Sequence, residues 1–197
     1  IDLNLTSHAI TSNFEFDANS DKVYKVGFQT AYQNNFANPE TGVRRLIPDY
    51  DKVDFGIFTI GNFTLNDNTK LDLGLRYDFN YINAKKFYFK SRWQERNYDT
   101  EFGDLIIGDF NTQWLVNPKF TYHNVSASAG ISYQLSEKSS VLFNYGLSNR
   151  APNPSELFSD GLHHSASRIE LGDLRLGQET SNRISSSYRF SGKQTQF

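Results

Sequence analysis

The sequence contains neither cysteine nor methionine. Without cysteine there is no disulfide framework and no thiolate metal site. Without methionine there is no initiator residue, and Ile1 reads as a cut end rather than a gene start. Basic residues are not in excess: 20 Lys and Arg stand against 22 Asp and Glu, interleaved, for a net charge of −2. That excludes the basic face by which nucleic-acid binders are recognised. No stretch approaches the ~18 apolar residues of a membrane helix, and no signal peptide is present. A polar average does not exclude a membrane protein, because a barrel strand shows lipid only every second side chain.

What is abundant is aromatic: 17 Phe and 11 Tyr against 2 Trp. These fall into runs of period two, the pattern of half-buried strands. In 70–81, Leu71, Leu73, Leu75, Tyr77, Phe79 and Tyr81 share one face, while Lys70, Asp72, Gly74, Arg76, Asp78 and Asn80 share the other. The pattern recurs over 125–135 and 22–36, and more weakly over 9–17, 53–65, 141–148 and 180–190. Seven strands are expected, most reaching the ~10 residues that a tilted membrane strand needs. Tyr24, Phe36, Tyr77, Tyr81 and Phe190 stand at strand ends, where interface girdles form.

Connections alternate in length. Asn19-Ser20-Asp21, Asn66-Asp67-Asn68 and Ser136-Glu137-Lys138 are tight polar turns, with Ser191-Gly192-Lys193 opening another. Between them lie long connections at 37–52, 83–120 and 149–178. An up-and-down meander then gathers every long loop at one end, as outer-membrane barrels do. The expected fold class is all-β, an antiparallel meander forming an incomplete arc of a transmembrane β-barrel. Seven strands cannot close a bacterial barrel, so 1–197 is expected to be an internal fragment with both ends cut. The competing reading is a soluble all-β module binding carbohydrate or protein.

The stretch 141–190 carries the most specific signal: Asn149-Arg150-Ala151-Pro152, then Glu156-Leu157-Phe158-Ser159-Asp160-Gly161 with His163, then Glu170-Leu171-Gly172-Asp173-Leu174, Leu176 and Glu179. Upstream stand Gly74-Leu75-Arg76-Tyr77-Asp78 and, expected within a loop, Pro48-Asp49-Tyr50. Together these resemble the barrel of the TonB-dependent receptors, energised importers of the Gram-negative outer membrane. Gly172-Asp173-Leu174-Arg175-Leu176 departs from the Gly-Asn-Pro-x-Leu that the family often carries. The resemblance implies a receptor for a scarce nutrient, an iron chelate, haem or a metal ion. It implies no resident cofactor, TonB contact through a plug domain that this chain lacks, and outer-membrane lipid around the barrel.

Physical reading of that loop gives it a structural and a ligand-binding role. Pro152 and Pro154 cannot continue a ladder, so the strand ends there. Ser155 is expected to cap a helical turn through Phe158 with Glu156 in its first turn, and Arg150 to pair with Glu179 across the strand mouths. His163 and His164, with Glu156, Asp160 and Glu170, are the candidate ligand-binding residues. One imidazole, His163 or His164, is the candidate metal or haem ligand, since adjacent residues on an extended chain face opposite sides. The 83–120 connection holds Lys85, Lys86, Lys90, Arg92 and Arg96 among Phe87, Tyr88, Phe89 and Trp93, then Asp99, Glu101, Asp104 and Asp109. This suits capture of an anionic chelate, but a hairpin rising above the membrane explains the same residues without a ligand. Neither a nucleophile elbow nor a phosphate-binding glycine loop occurs, so no enzymatic role is expected.

Overall fold

The computed structural model describes residues 3–37, 46–163 and 167–192. Four long strands come first: β1 (Leu3–Asn19), β2 (Lys22–Ala37), β3 (Asp49–Asn66) and β4 (Thr69–Phe89). Helices α1 (Lys90–Glu95) and α2 (Tyr98–Phe102), a 3-10 turn (Gly103–Leu105) and the hairpin β5 (Ile106–Phe110) and β6 (Gln113–Val116) follow. Then come β7 (Lys119–Ser136), β8 (Ser139–Arg150), α3 (Pro154–Phe158), the small hairpin β9 (Asp160–His163) and β10 (Arg168–Leu171), and β11 (Glu179–Phe190). The long strands pair antiparallel in the order β1-β2-β3-β4-β7-β8-β11, the expected seven-strand meander. Among the described residues the sheet is open, with β1 and β11 at its edges.

One local device makes the three tight turns. A register shift precedes each, between Asp17 and Asn19, Thr64 and Asn66, and Gln134 and Ser136. The last strand residue then accepts a backbone N–H from two positions on: Asn19 from Asp21 and Asn66 from Asn68, both at 3.0 Å, and Ser136 from Lys138 at 3.3 Å. Such side-chain turns compete with strand continuation, which is why these polar residues end the ladder.

The register carries the alternation across the sheet without a slip. Val26, Thr59, Leu75, Ala127 and Leu147 form one cross-strand row on the apolar face. Its large side chains lie open, Phe14 at 65%, Leu75 at 54% and Ile184 at 70%, a surface that water-facing sheets avoid and hydrocarbon accepts. Aromatics gather towards both ends of that face. Phe16 stacks on Tyr24, which meets Phe63 edge-on near the tight turns; at the other end Tyr77 stacks on His123 and shares a 2.7 Å hydrogen bond with its Nδ1. The opposite face carries rows such as Gln29, Gly56, Asp78 and Asn124. It is concave, holding a cavity of about 540 Å³ lined by Phe58, Gly74, Arg76, Ser128, Gly146 and Arg183.

Above the apolar belt the alternation inverts its phase. Up to Tyr81 the apolar residues of β4 face outward; beyond it Ile82, Ala84 and Tyr88 face inward and are buried, while Asn83 and Lys85 face outward. The same inversion brings Phe120 and Tyr122 of β7 and Tyr50 of β3 inward, beside outward Lys119, Asp49 and Asp51. The strands are therefore longer than expected. Asp49 and Tyr50 open β3 instead of lying in a loop, and Lys85 and Lys86 belong to β4 rather than to the connection after it. The 83–120 connection also contains two helices besides the expected hairpin.

Leu75→Arg, at mid-height on the outer face, should destabilise the sheet refolded in lipid by ~2–4 kcal/mol, whereas Ser185→Arg on the inner face should change it by less than about 1 kcal/mol. Denaturant unfolding in bilayers reads both.

Candidate functional site

All the long connections lie at one end of the sheet, and their described parts share a single hydrophobic core. β4 supplies Ile82, Ala84 and Tyr88; α1 and α2 supply Trp93 and Tyr98; α3 supplies Leu157 and Phe158, and Leu174 follows β10. Trp93, Tyr98, Leu157 and Phe158 are fully buried. Ile47, from the connection before β3, packs against the same cluster. Because β4 offers it the inward-facing residues, the core stands over the concave side of the sheet. Rings pack edge-on, Trp93 against Tyr98 at 5.1 Å and Tyr98 against Phe102 at 5.2 Å, the geometry that their quadrupoles favour.

α3 shows how the sequence builds this rim. β8 ends at Arg150, and Pro154 stands at the first helical turn, where a missing N–H is harmless. The cap is Asn153 rather than Ser155: its side chain accepts from the N–H groups of Ser155 and Glu156, both at 3.0 Å. Glu156 completes the capping box by accepting from Asn153 N–H at 2.8 Å. Arg150 grips Glu156 with two 2.9 Å bonds and reaches Glu179 at 2.5 Å, tying helix, β8 and β11 together. The Arg150 guanidinium and the Asn153 N–H hold the Glu156 carboxyl below its usual range. Pro152, between Arg150 and the cap, is buried.

Lys86, Lys90, Arg92 and Arg96 of the 83–120 stretch are spent on protein partners. Lys86, buried, donates to Phe158 O and lies over the Tyr88 ring. Arg92 pairs at 2.9 Å with Asp160, whose side chain is 1% exposed. Arg96 donates to Gly172 O at 2.8 Å, and Lys90 pairs with Asp109 over the Trp114 ring. Arg175 pairs with Glu101 at 2.7 Å and covers Tyr98. Burial raises the pKa of Tyr98, whose hydroxyl donates to Asp173 and accepts from Leu174 N–H. Burial pushes Asp173 up, but Arg175 N–H, the Tyr98 hydroxyl and the nearby guanidinium groups outweigh it and leave its carboxyl below the usual range.

Each of the candidate carboxylates is therefore engaged by an arginine. Glu156 is bound to Arg150, Asp160 is buried on Arg92, and Glu170 pairs with Arg168 at 2.7 Å. His163 closes β9, but its side chain, like the whole of His164, lies outside the described residues. Among the described residues no group of three His, Asp or Glu is placed to hold a metal ion. Sequence reading did not single out Tyr98, Gly172 or Asn153. A Cβ on Gly172 would meet the backbone of Glu156, Leu157 and Phe158 at 2.6–2.7 Å, so only glycine lets β10's exit cross α3. Asn-Pro followed by Glu was the available signal for the cap.

Beneath this core a hydrogen-bonded row crosses the concave face. Lys52 pairs with Asp54 at 2.8 Å, Asn80 donates to Asp54 at 2.6 Å, Asn124 to Asn80 at 2.7 Å, and Gln178 to Asn124 at 3.2 Å. It ties β3, β4 and β7 to the segment that leads into β11.

The TonB dependent receptor-like β-barrel family matches residues 2–197. The chain belongs to the TonB-dependent receptors. Its arc resembles three solved structures. The copper transporter OprC aligns with a TM-score of 0.64 and 12% identity, over 97% of this chain and 29% of that one. The hemophore receptor HasR of Serratia marcescens, solved as a double mutant with its hemophore HasA and heme, gives 0.62 and 14%, over 94% and 29%. The ferric-catecholate import receptor Fiu of E. coli K12 gives 0.55 and 16%, over 95% and 29%. At such identities the likeness is one of fold, and the chain spans under a third of each of those proteins. Curated protein sequences yield no match.

Two results are expected of the TonB-dependent receptor rim. Gly172→Ala should destabilise it by more than 1–2 kcal/mol, because backbone must move, seen as faster proteolysis within 150–178. Glu156 and Asp173 titrate below their usual values, so their stabilisation is complete above about pH 4.5, the ordinary value of Glu, and is lost as pH falls through the lowered native values. Proteolysis of the rim should accordingly be unchanged between pH 7 and 5 and rise below pH 4.

Proposed function

We propose that this chain is part of an outer-membrane receptor of Gram-negative bacteria that binds and imports a scarce nutrient with energy supplied through TonB. An iron chelate, haem or a metal ion is the cargo class. The family match along residues 2–197 carries the reading. It agrees with the printed roles of the similar proteins, which handle copper, heme and a ferric catecholate. In this reading the apolar face meets lipid, the concave face lines the passage, and the fused long connections form its extracellular rim. TonB is met through a plug domain outside this chain, and the function is transport rather than catalysis.

For cargo contact we retain His163, which closes β9, or the adjacent His164. The carboxylates of Glu156 and Asp160 act here as rim structure, and a cargo reaching them would have to displace Arg150 or Arg92. Arg150, Pro152, Pro154 and Glu179 hold the loop in place. The edges β1 and β11 present unpaired backbone, so the chain isolated from the rest of a barrel should self-associate.

The complete receptor is titrated with zinc, copper, haem and a ferric catecholate, before and after His163→Ala and His164→Ala. One substitution should weaken one of these cargoes by about tenfold or more. Unchanged affinity for all four removes the histidine site, and absence of binding by the unaltered receptor removes the cargo class. The isolated chain should sediment as oligomers in detergent-free buffer; a monodisperse monomer contradicts the exposed edges and apolar face.

A further inference from the structure

Neither of the two largest connections completes its core alone. α1 has six residues, α2 and α3 five each, all far below the ~12–15 residues at which an isolated helix becomes even marginal. The apolar cluster is completed only when Trp93, Tyr98 and Val116 of one connection, beside Tyr88 of β4, meet Leu157, Phe158 and Leu174 of the other. Beside the ties within each, such as Lys90 to Asp109 and Arg150 to Glu156, polar ties also run between them. They include Arg92 to Asp160, Arg96 to Gly172 O, Tyr98 to Asp173 and Leu174, and Arg175 to Glu101 and to Arg96 O, while Lys86 of β4 donates to Phe158 O. The first connection joins through Leu46 O, which accepts from Asp160 N–H at 3.3 Å.

We propose that these connections form one cooperative block, fixed against the inner wall of β3, β4 and β7, that opens as a unit or not at all. A separate flap motion of the 149–178 loop would expose Phe158, Leu157 and Trp93 together. It would also break the pair between Asp160 and Arg92. Opening either loop alone therefore breaks the stabilisation of both, which is the condition for one unfolding unit. This holds whichever cargo the receptor takes.

Hydrogen exchange of the full-length receptor in lipid tests this, read for segments 90–105 and 155–174 with strand 71–81 as the folded reference. Arg175→Ala, made in one connection, should raise exchange in both segments by the same factor, about tenfold or more, and leave 71–81 unchanged. Phe158→Ala should give the same joint response at larger size. If either variant speeds exchange only in 155–174, leaving 90–105 at the unaltered rate, the connections are independent and the proposal fails. Should Phe158→Ala not assemble, Arg175→Ala decides alone.

Discussion

Every backbone donor and acceptor of a strand whose outer face meets hydrocarbon has to be paired with a neighbouring strand. That requirement fixes the rest of this molecule. It enforces an uninterrupted register through seven antiparallel strands, and an uninterrupted register makes each residue's face a matter of parity. Register shifts are admitted beside the tight turns, where a polar side chain already replaces the ladder. The apolar side chains of the sheet consequently stabilise it by facing lipid rather than by filling an interior.

An interior of the ordinary kind is found only at the rim among the described residues. There the strands rise beyond the apolar belt, outward positions meet water, and inward ones are free to carry Ile82, Ala84, Tyr88, Phe120 and Tyr122. These give the connections a wall to fold against, and the aromatic cluster of Trp93, Tyr98 and Phe158 closes over it. Truncating one such ring costs ~3–5 kcal/mol in a well-packed core, more than an exposed ion pair contributes. The many charges at the rim thus set the placement of the loops, and the rings supply most of their stability.

The meander, the tight turns and the one-sided long connections were legible because a single period and simple turn chemistry specify them. Arg150 facing Glu179 was legible too, since both flank one strand pair. Strand ends beyond the belt were not, because the alternation changes phase at Tyr81 and Ile82 and a reader following the apolar file stops there. The charged run of the 83–120 connection was ambiguous for a related reason. Lys86 and Arg92 find their partners some 70 residues further on, at Phe158 and Asp160, and local pattern has no access to such pairs. Asn153 displaced Ser155 as cap because Pro154 occupies the first helical position, which starts the helix two residues earlier than the Ser suggested.

The phase inversion can be read directly along β4, helped by a chain without native cysteine. Single cysteines are placed from 71 to 88 in the full-length receptor and treated with a water-soluble maleimide on intact cells. Below residue 82, odd positions should resist labelling and even ones react more readily. Above it, 83, 85 and 87 should label and 82, 84, 86 and 88 should be protected. An alternation that keeps one phase to residue 88, or no alternation at all, would contradict a lipid-facing belt surmounted by an inward-folded rim.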